Sequence, residues 1–414
     1  MRIRVGDISK INELSLLKND SFDTILYLDT SNLTENKVDT LQKIDLSIDK
    51  LPSRAKRKVR KNTILFSNVR PIQRHYGLLE ETPNNLIVST GFTTLNPDDS
   101  VIDEYFLYYL LTQDSTINYL QMVAENSVSS YPSITSNDIA DLNFVIPDSI
   151  EEQKRTVKII KLIDQKIAIN NQINAELEAM AKTLYDYWFV QFDFPDENGK
   201  PYKSSGGKMV YNDQLKREIP EGWGVKQLGE ICNIFRGSSP RPIDDFIANK
   251  GIPWVKISDV TSLKTPFLLT TKDFILPEGK EKSRFLAPGT LILSNSASPG
   301  IPKIVQLDCC VHDGWLIIDN IEGNFSKELL YYYFQDLKKN LVNLGNGSIF
   351  KNLKTEYVKE LLTIIPLEEL LISYNSYCKN IFSQILTFEK QNQELTQLRD
   401  WLLPMLMNGQ VKVD

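Results

Sequence analysis

The sequence predicts an α+β protein built twice on one plan, a globular module of strands and helices followed by a long helix, then a second module and helix. Three observations carry this. Residues 27–33, YLDTSNL, match residues 254–260, WVKISDV, and residues 63–68, TILFSN, match residues 290–295, TLILSN, at the same offset. RVGDISKI from Arg4 answers QLGEICNI from Gln227, ahead of those matches and at nearly the same offset. Each half closes on an Ile-Pro pair, Ile146-Pro147 and Ile365-Pro366, followed by a long polar helical stretch with a Glu pair near its start. A repeat this long is a duplicated domain and not a solenoid unit.

The first module spans residues 1–148. Its β-rich runs at 24–28, 63–66 and 86–89 are separated by Asn, Asp and Pro turns. A helical run over 103–124 takes its apolar surface from Tyr105, Phe106, Tyr109, Leu110, Ile117, Leu120 and Met122. Strands and helices mixed in one unit point to α+β.

A helical region follows at 149–195. Ser149-Ile150-Glu151-Glu152 has the form of a capping box, with acids where the helix dipole favours them. Ile160, Ile163, Ile167, Ile173, Leu177, Met180, Leu184 and Tyr187 recur at threes and fours. Residues 196–218 open with DENGKPYKSSGGK and read as a surface linker. The second module spans 219–366. A second helical region, 367–414, carries Leu371, Tyr374, Cys378, Ile381, Ile385, Phe388, Leu395 and Leu402 in heptad register. Asn170 and Asn392 fall in the two seams, where a polar residue fixes register and partner number. The expectation is an antiparallel coiled coil ~50 Å long, at ~1.5 Å per residue. The plainer alternative is that each helix packs on its own module.

A chain of 414 residues is long enough for two or three domains with their own cores. At 42% apolar and 24% charged residues, with no apolar run long enough for a bilayer, the composition excludes a helical membrane protein. The N-terminal MRIRVGDISK lacks a signal-peptide stretch. Four cysteines, Cys309 and Cys310 adjacent, make no disulfide framework, and His75 and His312 without a Cys-x-x-Cys argue against structural zinc. The expectation is a reduced, cytoplasmic protein without a metal.

Net charge is −6, which taken alone argues against nucleic acid. The charge is unevenly placed, however. From Leu51 to Arg74 there is no acid, and the stretch holds Arg54, Lys56, Arg57, Lys58, Arg60, Lys61, Arg70 and Arg74. Such a run neutralises phosphates and releases counterions from a duplex, although most charge runs are solvated loops. Ser67 and Asn68 close the strand beside it and offer side chains of the kind that reach base edges. In the second module the turn Arg236-Gly237-Ser238-Ser239-Pro240-Arg241 offers two arginines with small donors. Ser294 and Asn295 repeat Ser67 and Asn68, and Lys256 lies in the WVKISDV copy of YLDTSNL. Loops 127–133 and 345–350 are polar and aromatic-tipped, as base-probing loops and plain connectors both are.

No catalytic motif is present. Gly207-Lys208 is followed by Met209, so there is no phosphate loop. Asn96-Pro97 is followed by Asp98 and not by the Pro-aromatic pair of an amino-methyltransferase. Neither histidine has a sequence partner that would make it a base.

The stretch EEQKRTVKIIKLIDQKIAINNQINAELEAMAKTLYDYWFVQFDFP (151–195), with NGKPYKSSGG and EIPEGWGVKQLGEI after it, closely resembles the central region of type I restriction–modification specificity subunits. LPSRAKRKVRKNTILFSNVRP (51–71), FRGSSPRP and GIPWVKISDV look like that family's target-recognition domains. Two departures are Asn62-Thr63, where the family often has Gly-Asp, and Glu369-Leu370 in the second helix against Glu152-Gln153 in the first. The resemblance implies two recognition domains, each reading one half of a split site in double-stranded DNA. It implies a helix pair that sets the spacer, and two modification subunits that bring S-adenosylmethionine and methylate adenine N6. Restriction subunits would add ATP- and Mg-dependent cleavage. This chain would bind no cofactor and catalyse nothing. Tyr185, Tyr187, Trp188, Phe189 and Trp401 crowd the helix ends, where aromatics are favoured interface anchors. They serve equally well to pack the helix ends on the modules. The competing readings are a coiled-coil scaffold binding protein, the specificity subunit of a methylation-only or type IIB-like system, and an enzyme with disguised motifs.

Overall fold

The computed structural model describes residues 1–17, 19–127, 131–343 and 353–411. The chain divides into two compact units, Met1–Ala168 with Glu394–Asp414, and Ile169–Gln393. The division falls inside both long helices, Ile150–Tyr185 and Glu368–Met407.

The first unit holds two four-stranded sheets. In one, Thr24–Leu28 runs parallel to Leu86–Ser89, with Gln42–Asp45 and Ala55–Lys58 antiparallel on the outside. In the other, Ser9–Ile11, Phe92–Pro97, Thr63–Ser67 and Tyr76–Leu79 lie side by side, all antiparallel. The three runs read from sequence are all strands. Thr63–Ser67 and Leu86–Ser89 are buried at every residue, which is why they read as unbroken apolar runs and not as alternations. The expected helix over 103–124 is two, Glu104–Thr112 and Asp114–Glu125, because Gln113 between them is extended. The Asp103 carboxylate caps the first by accepting from the Tyr105 and Phe106 amides. Met122, expected to pack inward, is exposed.

The second unit repeats the plan with five strands per sheet. Ile252–Val255 runs parallel to Cys309–Val311, flanked by antiparallel Asp273–Ile275 and Arg284–Leu286. The repeat extends to single rungs. Leu28, Val88 and Arg57 share a rung in the first unit, as Val255, Val311 and Arg284 do in the second.

Each unit contains a stretch where the long helices touch. In the second, Asn170 Nδ2 donates to Asn392 Oδ1 at 2.9 Å, Asn392 Nδ2 to Asn171 Oδ1 at 2.9 Å, and Asn174 Nδ2 to Glu389 Oε1 at 2.9 Å. In the first, Arg399 bonds Asp164 at 3.1 Å, and Leu406 and Met407 share a core with Val157 and Ile160. Rising numbers on one helix meet falling numbers on the other, so the touching stretches are antiparallel. The apolar series read from sequence slips here, because Asn170, Asn174 and Ala181 take buried positions while Met180 is 60% exposed.

The end of the first long helix needs a correction. Tyr185, Trp188 and Phe189 are core residues of the second unit and not free interface anchors. Phe189 packs edge-on to Tyr374 with ring centres 4.8 Å apart, and Trp188 meets the same ring at 5.9 Å. Burial of this much aromatic surface outweighs any gain from leaving it exposed for a partner. Tyr187 and Trp401 are the exposed pair. The linker expected at 196–218 is also partly built in. Tyr202 stacks on Phe194 at 4.7 Å, Phe194 stacks on Trp223 at 5.1 Å, and Met209–Asn212 pairs with Arg217–Pro220 as a hairpin.

Burial pushes the Glu178 carboxyl up to about 7 and the Lys303 ammonium down to about 8. Among the described residues no helix is long and apolar enough to cross a membrane, and no group of three His, Cys, Asp or Glu side chains is placed to hold a metal ion.

Candidate nucleic-acid interface

In the first unit the basic run forms an outer strand, Ala55–Lys58, and the turn that follows it. Residues 14–16 lie along the strand's open side, where Leu16 N donates to Lys56 O at 2.8 Å and Lys58 N to Leu14 O at 3.1 Å. The charges differ in availability. Lys58 is committed to Asp20 at 2.8 Å, and the Leu17 amide with Lys58 holds that carboxyl below its usual range. Arg57 is half-buried, which pushes its guanidinium pKa down. Arg54, Lys56, Arg60 and Lys61 are exposed, with no carboxylate within ion-pair distance among the described residues. The chain turns after Lys61 through Asn62 at φ 65°, a left-handed conformation that glycine takes freely and asparagine tolerates. That accounts for Asn62 where the resembling family often has glycine.

Ser67 and Asn68 make internal hydrogen bonds. Ser67 is buried with its hydroxyl on Val69, and Asn68 Oδ1 accepts from the Thr93 hydroxyl at 2.6 Å. Their repeats behave alike. The Ser294 hydroxyl donates to Ser298 O at 2.6 Å, and Asn295 Nδ2 to Asp313 O at 3.2 Å. Ser67, Ser294 and Asn295 are buried on backbone carbonyls, and Asn68 is half-buried on the Thr93 hydroxyl, so all four are spent on internal bonds.

Arg70 and Arg74 bracket the short turn Pro71–Gln73, both left-handed, at φ 47° and 56°. Their fates diverge. Arg74 is tied to Asp114 at 2.6 Å and to Glu35 at 3.6 Å. Arg70 is exposed, with its guanidinium over the Tyr131 ring at 5.8 Å. Its amide donates to Pro132 O at 3.0 Å, and Val69 bridges Ser133, so one neighbouring loop holds the strained backbone at two adjacent points. Residues 128–130 and 345–350 of the candidate probing loops lie outside the described residues.

The second-unit candidates stand beside carboxylates, Arg236 and Arg241 sharing one. Asp313 lies 3.8 Å from Arg236 and 3.6 Å from Arg241, and it accepts from the Ser239 hydroxyl at 2.9 Å. Burial would raise this carboxyl's pKa, but the Ser239 hydroxyl and the Arg236 charge hold it below the usual range. Lys256 is paired with Asp273 at 2.9 Å. Gly237 is required here, because a Cβ would stand 2.2 Å from His312 O. Both histidines are internally bonded, His75 Nδ1 to Leu33 O at 2.7 Å and His312 Nδ1 to the Gly314 amide at 2.8 Å.

What sequence reasoning missed is the row Lys280, Lys282 and Arg284. Each cation sits over a phenyl ring: Lys280 on Phe285 at 3.8 Å, Lys282 on Phe246 at 4.6 Å, and Arg284 on Phe235 at 5.9 Å. The alternation in GKEKSRF carries the signal, but two acids in the same turn, Glu278 and Glu281, mask it. The row is stitched to the Arg236 turn, since the Ser238 hydroxyl donates to Lys282 O at 3.2 Å and the Ser283 hydroxyl to Ser238 O at 2.8 Å.

A family model described as the type I restriction modification DNA specificity domain matches this chain twice, over residues 2–179 and 220–398. The type I restriction enzyme HindI specificity subunit of Haemophilus influenzae is 25% identical, over 98% of this chain and 98% of its own. The MjaIX specificity subunit of Methanocaldococcus jannaschii is 28% identical, over 86% of this chain and 78% of its own. Among solved structures, the type I restriction-modification S subunit from M. genitalium superposes with a TM-score of 0.58 at 14% identity, over 98% of this chain and 95% of that one.

Proposed function

The chain belongs to the type I restriction-modification DNA specificity family, as the specificity subunit of such a system, and from that membership we propose how it divides the work. Each module reads one half of a split duplex site. The two long helices act as an antiparallel coiled coil that sets the number of unread base pairs between the halves. The chain itself is non-catalytic. Modification subunits supply S-adenosylmethionine chemistry on adenine, and restriction subunits supply the ATP- and Mg-dependent steps. The double family match, one per module and helix, carries this reading, because two copies of one reader suit a site with two parts.

In the first module Arg54, Lys56, Arg60 and Lys61 neutralise phosphates, while Arg70 reaches a base edge. An exposed guanidinium is the side chain best suited to the paired acceptors of guanine in the major groove. The modification subunits dock on exposed apolar side chains of the long helices, among them Leu162, Met180, Tyr187, Tyr377 and Trp401.

Co-expression with the modification subunit, followed by genome-wide mapping of N6-methyladenine, tests the reading. The expected result is one motif of two short words around a fixed gap. A soluble complex that leaves no such motif would contradict it.

A further inference from the structure

We propose that Lys280, Lys282 and Arg284 form the DNA-backbone contact of the second module, the counterpart of the basic run in the first. The inference rests on the DNA-reading function above and adds a site to it.

Topology is the first argument. Arg284–Leu286 and Ala55–Lys58 both end their sheets, each antiparallel to the strand whose other neighbour is the parallel one. Arg57 and Arg284 occupy the same rung, beside Val88 and Val311, which pair in turn with Leu28 and Val255. In both modules the loop after the first strand of the other sheet meets this edge, residues 14–16 on Lys56 and Lys58 of the strand itself in one, Ser238 on Lys282 and Ser283 in the turn that leads into the strand in the other. If the modules meet duplex DNA with equivalent surfaces, this strand faces it in both.

Charge is the second argument. Asp313 is shared by Arg236 and Arg241, and Asp273 pairs with Lys256, so the obvious cations of this module stand beside carboxylates that offset part of their charge. Lys280, Lys282 and Arg284 are exposed and have no carboxylate within ion-pair distance among the described residues. Glu278 and Glu281 share the turn without pairing with them.

The third argument is preorganisation. Lys and Arg lose considerable side-chain freedom when they bind. Seated on Phe285, Phe246 and Phe235, these three have given up part of that freedom beforehand. Phe235 and Phe285 are each about two-fifths exposed, although burial would be the default for rings used only as packing. The competing explanation is that charges on an outer strand deter edge-to-edge aggregation.

The test uses the full chain in complex with its modification subunits. Affinity for a duplex bearing the methylated motif is measured against salt for wild type, for K280Q/K282Q/R284Q and for K280R/K282R. Each lost phosphate contact flattens the slope of log K against log salt by about 0.9. The triple variant is expected to lose about 2–3 from the slope, to keep wild-type melting and to keep the same two words in its motif. The arginine-substituted variant should keep the wild-type slope. A folded triple variant with an undiminished slope would overturn the proposal, and aggregation with an undiminished slope would assign the row to edge protection. A wild-type complex that binds no duplex would refute the DNA-reading function and this site with it.

Discussion

The two modules share a fold down to single rungs, yet they deliver positive charge in different ways. The first concentrates it in one stretch, from Arg54 to Lys61, with no acid between Leu51 and Arg74. The second scatters basic residues among acids, and the fold then sorts them. Arg236, Arg241 and Lys256 stand beside carboxylates, while Lys280, Lys282 and Arg284 sit on phenyl rings with no carboxylate partner among the described residues. Charge density along a sequence and charge available at a surface are different quantities. Only the second decides phosphate binding.

The same sorting happens inside the first module, and there it yields the largest expected effect. Arg70 and Arg74 sit in equivalent strained positions at the two ends of one turn, but among the described residues only Arg74 has carboxylate partners. Arg70→Ala in the complex should relax one base pair of one half-site, with discrimination there falling between about 5- and 150-fold, the worth of a bidentate contact. Arg74→Ala should leave the motif unchanged and lower the melting temperature instead. Motif mapping of both variants decides this, and an unchanged motif in Arg70→Ala would remove the residue from base reading.

A smaller effect sharpens the contrast between modules. Asp313 is the carboxylate that Arg236 and Arg241 share, and neighbouring groups keep it ionised well below neutral pH. Asp313→Asn should free up to two cations beside the Lys282 row and steepen the salt slope by about 1–2. Duplex titration at several salt concentrations reads it. No steepening would mean that the Arg236 turn faces away from the DNA.

Much of this architecture was legible in the sequence. The strands at 24–28, 63–66 and 86–89, both long helices and the duplication all followed from apolar pattern and internal repeats, which are local properties. Asn170 and Asn392, read from sequence as the polar positions of the two seams, are hydrogen-bonded to each other. The site is less legible, for reasons that are not local. Ser67, Asn68, Ser294 and Asn295 look like base readers in sequence, but buried backbone and side-chain groups claim them. Asp313 and Arg236 are far apart along the chain, so no window of sequence shows that they meet. The twin outer strands read AKRK and RFL, which share no pattern beyond one arginine, and only the ladder register aligns them.

The most direct measurement places a photo-crosslinking amino acid at Lys56 or at Lys282 in the intact complex and maps the nucleotides captured on a duplex carrying the split site. The account predicts capture from Lys56 at one half-site and from Lys282 at the other. Capture from both positions at one half-site, or none from Lys282 while Lys56 reacts, would contradict it.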